Sequence, residues 1–194
     1  MEALRTIDRS DVVLLLLDSR EGVTDQDARI GGFIHEKGKG CILVVNKWDL
    51  IEKDSQTMVY YERDVRENLK YLSYAPILFI SALKGQRVKK VLDAVDHVSE
   101  QAKKRIPTHQ INKYFGDWVA KFPPPLYKNR SVKMNYITQV STAPPTFVIY
   151  TNFPDGIHFS YERYLLNQMR GAFGFEGVPV RFRFRKKGKE KRDG

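Results

Sequence analysis

Asp11 and Asp18 bracket six consecutive aliphatic side chains, Val12 to Leu17. The run does not alternate with polar residues and is short, which predicts a strand buried on both faces, as in the middle of a parallel sheet. Parallel neighbours need helical crossovers, and the flanking sequence supplies helical spacing. Ala3, Leu4 and Ile7 share one face of a segment ending at Arg9. Thr24 and Asp27 resemble a capping box with Asp in place of Glu. The helix they start buries Ala28, Ile30, Phe33 and Ile34 and stops at Gly38 and Gly40. A second apolar run, Cys41 to Val45, follows. Tyr61, Val65, Leu69 and Leu72 then form a helical stripe. Pro76 opens a third apolar run, Ile77 to Ile80, and an amphipathic helix carrying Val88, Val91, Leu92, Val95 and Val98 ends near Arg105. Helix and strand alternate throughout, so the first half predicts an α/β unit of three parallel strands with right-handed crossovers. Ligands of such sheets bind beyond the carboxyl ends of the strands.

Two polar turns fall at those ends. Asn46-Lys47-Trp48-Asp49 follows the second strand, and Ser81-Ala82-Leu83 follows the third. A carboxylate accepts two parallel hydrogen bonds, which suits the N1 and N2 donors of guanine and rejects adenine. A lysine stem can lie along the flat face of a base, and an asparagine amide can tie neighbouring loops together. Asn46, Lys47 and Asp49 are therefore candidate base-binding residues, and Ser81, Ala82 and Leu83 join them by lying at the neighbouring strand end, a role that rests on the resemblance given below.

Pro107 breaks the preceding helix, which places a boundary near Ile106 and divides the chain into 1–106, 107–185 and a tail, 186–194. Ile111, Phe115, Trp118 and Val119 mark a helix stopped by Pro123-Pro124-Pro125. Strands follow over residues 132–140 and 146–152. A helix capped by Ser160 buries Tyr164, Leu165 and Met169, and a last strand from Val178 to Phe184 alternates Phe with Arg. This α-β-β-α-β order predicts an α+β domain. Charge divides with it. Residues 1–106 hold 18 Lys and Arg against 17 Asp and Glu, whereas residues 107–194 hold 15 against 6, nearly all of the net +10. A basic domain beside a neutral one points to a phosphate-bearing partner such as RNA. Arg181, Arg183, Arg185, Lys186 and Lys187 are the candidate contacts, with the tail read as disordered.

Other classes recede. No apolar run approaches the roughly 20 residues of a membrane span. One cysteine, Cys41, excludes an internal disulfide and fits a reducing cytoplasm. His35, His97, His109 and His158 are scattered without ligand spacing, so no metal site is expected.

The first half resembles the latter portion of a Ras-like GTPase domain. NKWD matches the NKxD base-specificity motif, and Ser81-Ala82-Leu83 matches the SAK/SAL motif whose backbone N–H meets guanine O6. The whole chain except the tail is similar to the carboxyl-terminal part of the EngA/Der family, bacterial GTPases with two tandem GTPase domains and a KH-like domain. The stretches that carry this are Asp18 to Asp27, Val44 to Asp49, Ile157 to Asn167 and Ala172 to Pro179. The resemblance implies GTP or GDP as ligand, with Mg²⁺ in the intact protein. It also implies a role in assembling the large (50S) ribosomal subunit through rRNA and ribosome contact.

Departures limit what this chain does alone. Gly38-Lys39 and Gly188-Lys189 lack the Ser or Thr of a G-x-x-x-x-G-K-[ST] loop, and no Asp-x-x-Gly occurs. The phosphate cradle, the Mg²⁺ ligands and the γ-phosphate switch are missing, so hydrolysis of GTP by this chain alone is not expected. It reads as a fragment beginning after the second switch region, with the remaining GTPase domains as partners. The strand at residues 12–17 would then lie at an exposed edge and invite self-association. Gly171 to Gly174 and Gly174 to Gly177 match the GXXG letters of RNA-binding KH domains but fall between helix and strand, so they read as helix-ending turns. An alternative function is a nucleotide-independent RNA- or ribosome-binding module. A third is an interaction platform for GTPase domains.

Overall fold

The structure is a computed structural model that describes residues 2–52, 54 and 56–186. Its contacts divide the chain into two units, one of residues 1–103 with Phe175–Pro179 and one of residues 104–174 with 180–194.

The first unit runs α1 (Glu2–Arg9), β1 (Val12–Asp18), α2 (Asp25–Lys37), β2 (Gly40–Asn46), a 3-10 turn (Trp48–Leu50), α3 (Thr57–Asn68), a second 3-10 turn (Lys70–Leu72), β3 (Ile77–Phe79) and α4 (Val88–Lys103). Its sheet is ordered β1-β2-β3 and is parallel throughout. β2 is central, with Cys41 to Val45 all buried. The capping box forms: Thr24 Oγ1 accepts from Asp27 N–H at 3.2 Å while Asp27 Oδ2 accepts from Thr24 N–H at 2.9 Å. Gly38, at φ 73°, closes α2 in the left-handed conformation that glycine adopts without steric cost. Ile34, Val65, Leu69, Leu72 and the inner side chains of β1 and β2 form one core.

Two expectations of burial fail. β1 is an edge strand, buried on one face only; Leu15 and Leu17 are inside, but Leu14 is 37% and Leu16 56% exposed. On α4, Val91 and Val98 are buried, yet Leu92 is 65% exposed. An unbroken aliphatic run identifies a strand without revealing how many of its faces find partners.

The second unit runs α5 (Thr108–Lys121), β4 (Met134–Ser141), β5 (Thr146–Thr151), a 3-10 turn (Pro154–Gly156), α6 (Phe159–Phe173) and β6 (Arg181–Lys186). Strand order is β4-β5-β6, with β4 antiparallel and β6 parallel to β5. α5 buries Ile111, Phe115 and Trp118, and α6 buries Tyr161, Leu165, Met169 and Phe173. The edge of β4 is satisfied by side chains: Asn112 Oδ1 accepts from Ile137 N–H at 3.0 Å and Asn112 Nδ2 donates to Ile137 O at 2.8 Å. His158, rather than Ser160, is the N-cap of α6, its ring nitrogen accepting from Ser160 N–H.

The last strand begins three residues later than its alternation suggests. Val178 and Pro179 belong instead to the segment packed with the first unit, where Gly177 O accepts from Cys41 N–H at 2.7 Å and Gly177 N–H donates to Tyr74 O at 2.8 Å. Lys186, read from sequence as the start of the tail, ends β6.

Candidate functional site

The parallel register sets the ends of β1 and β2 level, pairing Asp18 with Asn46. Beyond them the chain turns sharply, with Lys47 in the left-handed region at φ 61°. Trp48 anchors this turn. Its side chain is buried against Phe79 and Tyr61, with ring centroids 4.4 and 5.4 Å away. Its N–H donates to Ile80 O at 3.0 Å, tying the turn after β2 to the end of β3. The turn after β3 is closed by reciprocal backbone bonds between Ser81 and Gln86 of 3.1 and 2.9 Å.

Side chains lock the two turns together. Asn46 Oδ1 accepts from Ala82 N–H at 3.0 Å. Asp49 sits beside Ser81, and its side chain is only 7% exposed. The Ser81 hydroxyl holds the Asp49 carboxyl below the usual carboxylate range, with Lys84 adding to the effect. Lys84 Nζ lies 3.6 Å from Asp49 Oδ2, and Lys84 N–H donates to Ser81 Oγ at 3.2 Å. Asp49 is thus an ionised acceptor with some of its roughly four lone-pair positions already engaged. Lys47 Nζ pairs with Asp18 Oδ2 at 2.5 Å, which lowers the Asp18 carboxyl and raises the lysine. Ser19 Oγ donates to Lys47 O at 2.9 Å. Leu83 points into solvent, 91% exposed.

The structure therefore brings Asn46, Asp49, Ser81 and Ala82 into one cluster, with Lys47 at its margin and Leu83 outside it. The resemblance gives the Ala82 N–H to guanine O6, whereas here Asn46 already takes it. Base recognition through that donor requires Asn46 to share or release it. Asp18, Ser19 and Lys84 complete the cluster and were not among the site residues read from sequence. The register of β1 on β2 is what places Asp18 beside Lys47, and no local motif announces it. A guanine base fits a carboxylate with lone pairs to spare beside a backbone donor. Among the described residues no group of three or more His, Cys, Asp or Glu side chains could hold a metal ion.

In the second unit β6 lies at the sheet edge. Arg183, Arg185 and Lys186 are exposed and Arg181 is half-buried. Phe182 and Phe184 are half-buried rather than fully enclosed, with Phe182 6.2 Å from the Phe147 ring. Lys187 and the rest of the basic tail lie outside the described residues. Gly174 closes α6, donating to Arg170 O at 2.8 Å, and Gly171 lies within that helix.

A family model described as the KH-domain-like of EngA bacterial GTPase enzymes, C-terminal, matches residues 105–185. A second, described as the Elongation factor Tu GTP binding domain, matches residues 1–101. The chain is 54% identical over 186 residues to GTPase Der of Moorella thermoacetica, covering 96% of this chain and 42% of that protein. The chain belongs to the EngA/Der family of GTPases. GTPase Der of Desulfitobacterium hafniense is 55% identical over 189 residues, covering 97% of this chain and 43% of that protein. This family member thus spans less than half the length of the curated relatives it matches. Its first unit is a partial Ras-like α/β GTPase fold and its second a KH-like α+β fold. A crystal structure of Aquifex aeolicus Era bound to GDP and aluminium fluoride aligns at 19% identity with a TM-score of 0.43, covering 95% of this chain and 68% of that one. Among the described residues no helix is long and apolar enough to cross a membrane.

Proposed function

We propose that this chain is the part of a Der-type GTPase that recognises the guanine base of GTP or GDP and contacts the large ribosomal subunit. The observation that carries the base reading is the interlock of the turns after β2 and β3, with Asn46 on Ala82 N–H and Asp49 beside Ser81. Asp49 accepts from guanine N1 and N2, Asn46 braces the cluster, Lys47 covers the base, and the Ser81-Ala82-Leu83 backbone meets O6. Phosphate binding, Mg²⁺ and hydrolysis belong to segments with a P-loop and switches, which this sequence lacks. Arg181, Arg183, Arg185, Lys186 and Lys187 contact rRNA in the bacterial cytoplasm, and the exposed Leu14 and Leu16 face of β1 meets other GTPase segments or a second copy.

The base reading is tested by Asp49→Asn in the complete protein. An amide reverses one acceptor into a donor, so preference moves from guanine toward xanthine nucleotides. An unchanged preference would remove Asp49 from the site.

The charge division favours a second reading, an RNA- or ribosome-binding module that works without nucleotide. It predicts ribosome binding that falls steeply with salt and does not respond to GTP or GDP.

A further inference from the structure

A small pocket in the second unit, with no β6 residue in its lining, has the chemistry of a single nucleotide. Its volume is about 240 Å³ and its lining is Tyr127, Lys128, Arg130 and Phe153. That is below the ~300–1,000 Å³ of clefts that take drug-sized ligands. The Tyr127 and Phe153 rings, 5.7 Å apart and inclined at 46°, form its walls and are half-buried. Lys128 and Arg130 are exposed at its rim, and Lys128 Nζ stands 5.3 Å from the Tyr127 ring centroid.

Hydrogen bonds and packing hold the parts of the pocket. Tyr127 and Arg130 exchange two backbone hydrogen bonds of 2.9 Å, closing a two-residue turn. Lys128 and Asn129 within it both have positive φ, 48° and 60°. Such turns favour Asn and Gly, so lysine is not the residue that the backbone asks for at the first position. The root of the Tyr127 side chain packs on Gly156, where an added Cβ would come within 2.6 Å of Tyr127 Cγ. Asn152 fastens the neighbouring strand entry, accepting from Lys133 N–H at 2.8 Å and donating to Ser131 O at 2.9 Å.

Aromatic faces that stack a base, beside cations that meet its phosphate, are the elements by which single strands are held. We propose that Tyr127, Lys128, Arg130 and Phe153 form a nucleotide subsite for single-stranded RNA. This rests on the RNA-contact reading above and adds a site distinct from the β6 arginines. A base stacks against the Tyr127–Phe153 pair, and its phosphate lies between Lys128 and Arg130. A duplex, whose bases are already stacked, has nothing to insert.

Fluorescence anisotropy of a labelled oligoribonucleotide with the full chain tests this, using single-stranded and duplex forms. Phe153→Leu should weaken single-strand binding roughly 5- to 150-fold, the range for loss of one base-stacking partner. Lys128→Gly suits the turn better and removes the cation. It should leave the melting temperature unchanged or raised, yet weaken binding and reduce the slope of log affinity against log salt by about 0.7. Parent-like binding by both variants, with loss in Arg183→Gln/Arg185→Gln, would overturn the pocket and leave the RNA reading on β6. No single-strand binding by the parent chain at low salt would overturn the RNA reading itself. Pocket variants that lose ribosome binding but keep RNA affinity would point to a ribosomal protein and also overturn the proposal.

Discussion

Gly177→Ala places a methyl group where the structure has no room for one. The added Cβ would lie 2.2 Å from Val98 Cγ2 and 2.9 Å from Val98 Cγ1, at a residue whose φ is +75°. Left-handed backbone alone costs a non-glycine residue about 1–2 kcal/mol, and overpacking typically costs about 1–3 kcal/mol. The chain escapes both by lifting the segment Phe175–Pro179. That breaks the bonds from Cys41 N–H to Gly177 O and from Gly177 N–H to Tyr74 O. Cys41 is fully buried, so its N–H would be left without a partner at a cost of about 1–3 kcal/mol. Either route predicts a loss of about 2–5 kcal/mol from the first unit, since these terms overlap rather than add. The chain has two tryptophans, Trp48 in the first unit and Trp118 in the second. Urea unfolding followed by Trp48 fluorescence in a Trp118→Phe background therefore isolates the effect. Amide exchange at Cys41 should accelerate in parallel. In a double-mutant cycle Val98→Ala should relieve part of the loss by opening space. A change below about 0.5 kcal/mol, the range of ordinary surface substitutions, with Cys41 protection intact, would refute the packing argument.

Burial pushes the Cys41 thiol from 9.0 up to about 12. The folded chain keeps that proton while the unfolded chain releases it above pH 9, so stability should fall as pH rises from about 9, by about 1.4 kcal/mol per unit from this group. Urea midpoints of the parent should fall more steeply than those of Cys41→Ala between pH 8 and about 10.5, and parallel slopes would contradict this. Lys47→Met removes the largest influence on Asp18, so its carboxyl should rise toward the ordinary value, read by carbon NMR; no movement would exclude the pair. Leu16→Lys puts charge on the exposed face of β1 and should reduce self-association in sedimentation, whereas a parent that is monomeric at high concentration would dismiss that face as a self-association surface.

What could be read in advance follows the range of each interaction. β2 and the turn after it were legible because five apolar residues, Cys41 to Val45, run straight into Asn46 and Asp49. Thr24 and Asp27 were legible because a capping box closes over three residues. The exposure of Leu16 and Leu92 was not, because hydrophobicity is a property of the residue and burial a property of its neighbours. Nor was the pairing of Lys47 with Asp18, which arises only when β1 and β2 are set in register. Gly177 shows the same limit more sharply. Its letters suggest a turn before a strand, and only the fold reveals that its carbonyl serves Cys41. Within the candidate cluster, the resemblance supplied Ala82 as a donor without disclosing that Asn46 takes its N–H.

The base-reading claim meets its most direct test in an amide NMR titration of this chain with guanosine, adenosine and xanthosine at millimolar concentration. The nucleosides carry no phosphate, so the missing cradle does not matter. Guanosine should shift the amides of Lys47, Asp49, Ala82 and Leu83, adenosine should leave them in place, and Asp49→Asn should transfer the response to xanthosine. Equal shifts with guanosine and adenosine, or guanosine shifts confined to other residues, would contradict the assignment of these two turns to guanine.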